Sequence, residues 1–220
     1  MLVKGHALRG KKRRFTVIEL MVTIGIMMMV LALTVPSLSG LLGGGGVSSA
    51  ATSVSGQVRF ARAMAISKRL YVAVIIPDGA SLSKDNDNIH RCTRPAVVTR
   101  PRASKSAPFE FLYWVEDHSW NFMPPRTYVA LDPGKEMDYH EIVGVDLEGL
   151  GGSDSASCIG LIMKPSGRPE KKEGKTLRAM IEVGEGFWDE SEINDKGLED
   201  NKLEVYVNAN TGRVDVVEKN

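Results

Sequence analysis

The sequence lacks the patterns that mark a catalytic site. No nucleophile-elbow motif surrounds any of its many serines. His90, His118 and His140 are scattered, only Cys92 stands near one of them, and none adopts a zinc-ligand spacing. Ordinary surface histidines are the reading, and no enzyme activity is expected. Cysteine is scarce, with Cys92 and Cys158 the only two. In an exported domain they permit one disulfide, which closes a long loop; otherwise they are two separate buried thiols. A strong net charge is also missing: the formal value is +1. Lys4, Arg9, Lys11, Lys12, Arg13 and Arg14 put six cations and no acid in the first fourteen residues, which leaves 22 Lys and Arg against 27 Asp and Glu, net −5. A mildly acidic remainder argues against wholesale attraction to nucleic acid. At 220 residues, with 43% hydrophobic and 25% charged, composition excludes no class and allows one domain with an appendage.

What the sequence does contain begins at Phe15. FTVIELMVTIGIMMMVLALTV, Phe15 to Val35, holds one ionisable residue, Glu19, in 21 positions and is followed by Pro36. As a helix it reaches roughly 31 Å, the hydrocarbon thickness of a bilayer. The basic flank before it predicts an N-terminus inside and an exported C-terminal domain. A cleavable secretory signal is shorter and ends in a small-residue cleavage site. A plain signal anchor fits the length but gives no reason for an acid inside the apolar run, where it costs about 2.5 to 3.5 kcal/mol.

The stretch KKRRFTVIELMVTIGIMMMVLALTVPSL resembles the N-terminus of type IV prepilins and type II secretion pseudopilins: a basic leader, Phe, Thr-Val-Ile-Glu-Leu, an apolar run and Pro. The resemblance implies that a prepilin peptidase cuts between Arg14 and Phe15 and methylates the new amine of Phe15. Glu19 becomes the fifth mature residue and Pro36, at the helix end, the twenty-second. Arg14 stands where the family usually has Gly, so two outcomes remain: a peptidase that accepts Arg, or an uncut anchored chain. Glu19 of one subunit would pair with the Phe15 amine of a neighbour, a buried ion pair that specifies register more than it stabilises. The partners implied are other pilin or pseudopilin subunits, the peptidase and the inner-membrane assembly machinery. The location implied is the bacterial inner membrane, in a single pass with a periplasmic head.

Four glycines, Gly43 to Gly46, each cost a helix roughly 1 kcal/mol relative to Ala and predict a break. Val47, Ala51, Val54, Val58, Ala61 and Ala65 then draw one apolar stripe on a second helix, ending near Lys68. The run GQVRFARAMAISKRLYVAVIIPDG resembles the helix-to-strand passage of the FimT and H-type pseudopilin family. Candidate strands are Leu70–Ile76, Phe109–Val115, Thr127–Leu131, Glu141–Val145, Cys158–Met163, Leu177–Val183, Leu203–Val207 and Arg213–Val217. The last two form the best hairpin, turning at Asn208 to Gly212, and a similar ending occurs in the same family. No helical pattern separates the strands, so an antiparallel sheet is expected.

The expected class is therefore α+β: a long N-terminal transmembrane helix, a Gly-rich break, a second helix, and an antiparallel sheet or β-sandwich head. The divisions are a leader at 1–14, an assembly helix at 15–36, a hinge at 37–46 and a head at 47–220. The expected function is a minor pilin or pseudopilin, since the cysteine pair does not resemble the C-terminal disulfide loop of major pilins. The resemblance also raises DNA binding, as in some FimT-like minor pilins, through Arg91, Arg94, Arg100, Arg102 and Lys105. The competing reading of that cluster is a solvated loop rich in Pro and Ser, so nucleic acid is not the expected partner. No cofactor is expected. Asp85 to Asn88 and the acidic run from Asp189 to Asp200 offer oxygens of the kind that bind calcium in some pseudopilins, but neither follows a calcium-loop pattern.

Overall fold

The structure, a computed structural model, describes residues 16–79, 81–83, 86–100, 107–131, 139–147, 149–151, 155–171, 178–189, 192–194 and 201–218; for 31–44, 178–179, 187–189 and 192 it describes the backbone alone. The chain divides into two compact units, Met1–Leu42 and Gly43–Asn220. The class is α+β, as expected.

One helix, α1, runs from Val17 to Lys68. Two expectations are corrected here: Pro36 does not end the helix, and Gly43 to Gly46 do not break it. The boundary between the two units does fall at Leu42/Gly43, inside the glycine-rich stretch. Packing explains how glycine is tolerated on the head side. At Gly46 an added Cβ would meet Thr127 Cγ2 at 3.4 Å, and Val47, Ala50 and Ala51 immediately beyond are buried. Tertiary contact of this kind outweighs a propensity deficit of roughly 1 kcal/mol per glycine. The predicted stripe is buried at every position from Val47 to Ala65. Arg69, at φ 56°, ends the helix in the left-handed conformation that commonly stops helices.

Twelve strands follow among the described residues: β1 Tyr71–Ile76, β2 Cys92–Thr99, β3 Phe109–Trp114, β4 Asn121–Phe122, β5 Thr127–Ala130, β6 His140–Val145, β7 Ala156–Met163, β8 Arg178–Glu185, β9 Phe187–Asp189, β10 Glu192–Asn194, β11 Lys202–Asn208 and β12 Val214–Glu218. The six-stranded sheet has the order β1-β7-β6-β3-β2-β4, and β1 also pairs with β2, so five of its strands close a ring. Pairing in the ring is antiparallel except between β3 and β6, which run parallel over two residue pairs. A four-stranded antiparallel sheet has the order β12-β11-β8-β5, and β9 pairs with β10.

Alternation along the strands creates two cores. Ala73, Ile75, Phe109, Ile142 and Ile162 fill the inside of the ring, whereas Val72, Val74, Leu161 and Met163 face outward. The outward set joins the α1 stripe and Val129, Ile181, Val183, Val205 and Val207 of the four-stranded sheet in a second core. α1 is also tied to the loops by polar contacts. Arg62 donates from Nε to Gly167 O at 3.1 Å and from a terminal nitrogen to Thr211 O at 2.8 Å, and Arg59 reaches Val214 O at 3.1 Å. The predicted hairpin is β11–β12. Asn208 Oδ1 accepts the Asn210 and Thr211 N–H groups at 3.0 Å each, and Gly212 takes φ 68°.

Candidate functional site

The N-terminal turn of α1 is built by Thr16 and Glu19. Thr16 Oγ1 accepts the Glu19 N–H at 3.3 Å, the N-cap contact of a Thr-x-x-Glu sequence. That places the Glu19 carboxylate in the first turn, where the helix dipole favours an anion. Thr23 satisfies its hydroxyl locally by donating to Leu20 O at 2.8 Å. Every other side chain from Val17 to Val30 except Gly25 is apolar, and all of this stretch is exposed: Val17 is 78% accessible, Val22 55% and Met29 70%. An apolar surface of this extent marks a contact with lipid or another chain. Among the described residues no helix is long and apolar enough to cross a membrane. Arg14 and Phe15, the expected processing site, lie outside the described residues, and the side chains of the span from Leu31 to Val35 and of Pro36 are not described.

The cysteines come out as two buried free thiols, so the disulfide that the even count permits is not formed. β1 lies between β2, which carries Cys92, and β7, which carries Cys158. Burial pushes both thiols up to about 12. The neighbouring Cys158 adds to the rise at Cys92, and a hydrogen bond from Ser81 partly offsets it at Cys158. They are unreactive core residues.

The described part of the basic cluster is not the solvated loop expected. Most of its described part is β2, a strand with neighbours on both sides. Arg94 Nε donates to His118 O at 2.7 Å, and its guanidinium lies 4.6 Å from the Trp114 ring centroid and 5.9 Å from that of Trp120. Arg100 pairs at 3.2 Å with Glu170, a carboxylate that Lys164 also approaches at 3.6 Å. Arg91 reaches Asp87 O at 3.4 Å. Three of the five candidate phosphate contacts are thus turned to intramolecular partners; Arg102 and Lys105 lie outside the described residues.

Of the candidate calcium oxygens, that of the Asn86 side chain is engaged within its own loop. Asn86 Oδ1 accepts the Asn88 N–H at 2.9 Å and its amide donates to Leu150 O, which staples the loop. Asp85 and most of the run from Asp189 to Asp200 lie outside the described residues or have backbone only. Among the described residues no group of His, Cys, Asp or Glu is gathered to hold a metal ion. His118 stacks on Phe60 at 4.0 Å between ring centroids, and His140 packs edge-on to Phe109 at 5.2 Å. His90 is half-buried with its Nδ1 shut off from solvent, and its pKa is held below the ordinary value, mainly by desolvation, against the raising influence of Asp78. Sequence reading missed one buried polar cluster: Tyr128 donates to Glu182 at 2.7 Å, and Lys202 lies 3.6 Å from the same carboxylate. It ties β5, β8 and β11 together, and only strand register reveals it.

No family model matches the chain, and no curated protein matches it. Among solved structures, the minor pseudopilin EpsH from the type 2 secretion system of Vibrio cholerae is similar over 79% of this chain and 97% of that one, at 10% identity and a TM-score of 0.42. That likeness is too slight to fix fold or function.

Proposed function

We propose that the chain is a pilin-like subunit, a minor pilin or pseudopilin, that enters a type IV pilus or type II secretion pseudopilus through its N-terminal helix. The observation that carries this reading is the surface of α1 from Val17 to Val30, apolar all round with a single charge at Glu19. Next to a self-contained head, such a helix needs a bilayer before assembly and neighbouring helices after it. Prepilin peptidase would cut between Arg14 and Phe15, and the head would lie in the periplasm. The freed Phe15 amine of one subunit and the Glu19 carboxylate of the next would then neutralise each other in the low-dielectric core and set the stagger between subunits. The role is structural rather than catalytic. DNA binding is the weaker reading, because Arg94 and Arg100 are engaged within the head.

The test separates insertion from assembly. Glu19→Ala removes the intramembrane charge, so membrane abundance should be unchanged or higher, while crosslinking to other pilins and incorporation into filaments should be lost. Glu19→Asp keeps the charge with a shorter reach and should assemble in part. Wild-type incorporation of Glu19→Ala would return the chain to a plain signal anchor. N-terminal sequencing of the membrane form should begin at Phe15, methylated.

A further inference from the structure

A groove of about 780 Å³ runs between the last turns of α1 and the end of β3. Phe60, Met64, Leu70, Tyr113 and Val115 give it apolar walls, and Tyr113 leaves 49% of its surface in solvent. Glu116 and Asp117 stand exposed on the rim. Neither has an ion-pair partner among the described residues. Lys68 also lines the groove, but it sits in the last turn of α1, where the carbonyl end of the helix favours a cation. Two carboxylates against this one cation leave the lining with a net charge of −1.

The rim is held in place. The Arg94 guanidinium, set against Trp114, fastens the His118 carbonyl, and the His118 ring stacks on Phe60 of α1. Asp117 between them takes a left-handed φ of 62°, a conformation that surrounding contacts must maintain. A cleft with fixed walls loses little entropy when it is filled.

We propose that this groove binds a short segment of another polypeptide in which an aromatic or aliphatic anchor adjoins a lysine or arginine. The anchor packs between Phe60, Met64 and Tyr113, an aromatic-lined setting typical of strong contact points. The cation meets Glu116 and Asp117, and the filled cleft shields that attraction from water. Only residues of the Gly43–Asn220 unit take part, so the groove works whether or not α1 assembles into a filament.

The test uses the full chain in detergent micelles and three synthetic peptides: Lys-Leu-Phe-Lys, its acidic counterpart Glu-Leu-Phe-Glu, and Lys-Ser-Ser-Lys. NMR of the Ala63, Met64 and Val115 methyl groups reports occupancy. Lys-Leu-Phe-Lys should shift these signals saturably, and at least tenfold more tightly than either of the others. Glu116→Gln combined with Asp117→Asn should remove the preference for the basic peptide; asparagine suits the left-handed backbone, so the fold is retained. Ala63→Trp, which fills the exposed wall, should abolish binding of all three. Equal affinity for the basic and acidic peptides, or no saturable shift of the groove methyls, would overturn the proposal.

Discussion

At the scale of single residues, burial decides chemistry that residue identity leaves open. His90 reads from sequence as an ordinary surface histidine; in the fold it is half-buried with its Nδ1 shut off from solvent and a lowered pKa. As pH falls below the ordinary value near 6.5, the unfolded chain takes up the proton before the folded one does. The unfolded state then binds more protons, so stability is flat above that pH and is lost as pH falls toward the lower folded value. Chemical denaturation across this window should show that slope, and His90→Asn, which tolerates the left-handed φ of 54°, should flatten it. The thiols make a complementary case. With both pushed up to about 12, neither Cys92 nor Cys158 should react with iodoacetamide in the native chain near pH ~8, while both should react once urea unfolds it. Rapid native labelling of either would contradict its burial.

At the scale of elements, the hairpin turn and α1 hold each other. Gly212 at φ 68° is packed so closely that an added Cβ would stand 1.8 Å from Gly167 O. Gly212→Ala should therefore cost roughly 2 kcal/mol or more, from left-handed strain and displacement of a backbone oxygen together. Arg62→Ala removes two charge-assisted hydrogen bonds to loop carbonyls and should cost about 1 to 3 kcal/mol in urea denaturation. Arg62→Lys should restore little, because one ammonium does not reproduce the fork that reaches Gly167 and Thr211. Eight strands were legible from β-branched and aromatic runs between turn residues. β2 was not, since Pro95 and four cations within or beside it read as a loop. Its place between β1 and β3 satisfies the backbone, and each cation finds a partner only in the folded head or lies outside the described residues.

At the scale of the whole molecule, both hydrophobic cores lie between Val47 and Val214. A chain shortened to the Gly43–Asn220 unit should fold, with a thermal midpoint within a few degrees of the full-length protein in detergent. Glu19 substitutions should leave that midpoint unchanged, since neither core contains the residue. A head that melts without cooperativity would show that the N-terminal part of α1 stabilises it.

By itself the sequence determined what local periodicity and turn chemistry encode: the apolar run around a lone acid, the stripe from Val47 to Ala65, the helix stop near Lys68 and the Asn208 to Gly212 turn. These depend on neighbours within a few positions, and physics at that range is visible in one dimension. Only the tertiary structure decided that α1 continues through Pro36 and Gly43 to Gly46, that the first sheet closes into a ring, that β1 separates Cys92 from Cys158, and that Arg94 and Arg100 turn inward. The ring, the placing of the cysteines and the inward arginines depend on partners far along the chain, where packing outweighs the preference of the residue itself.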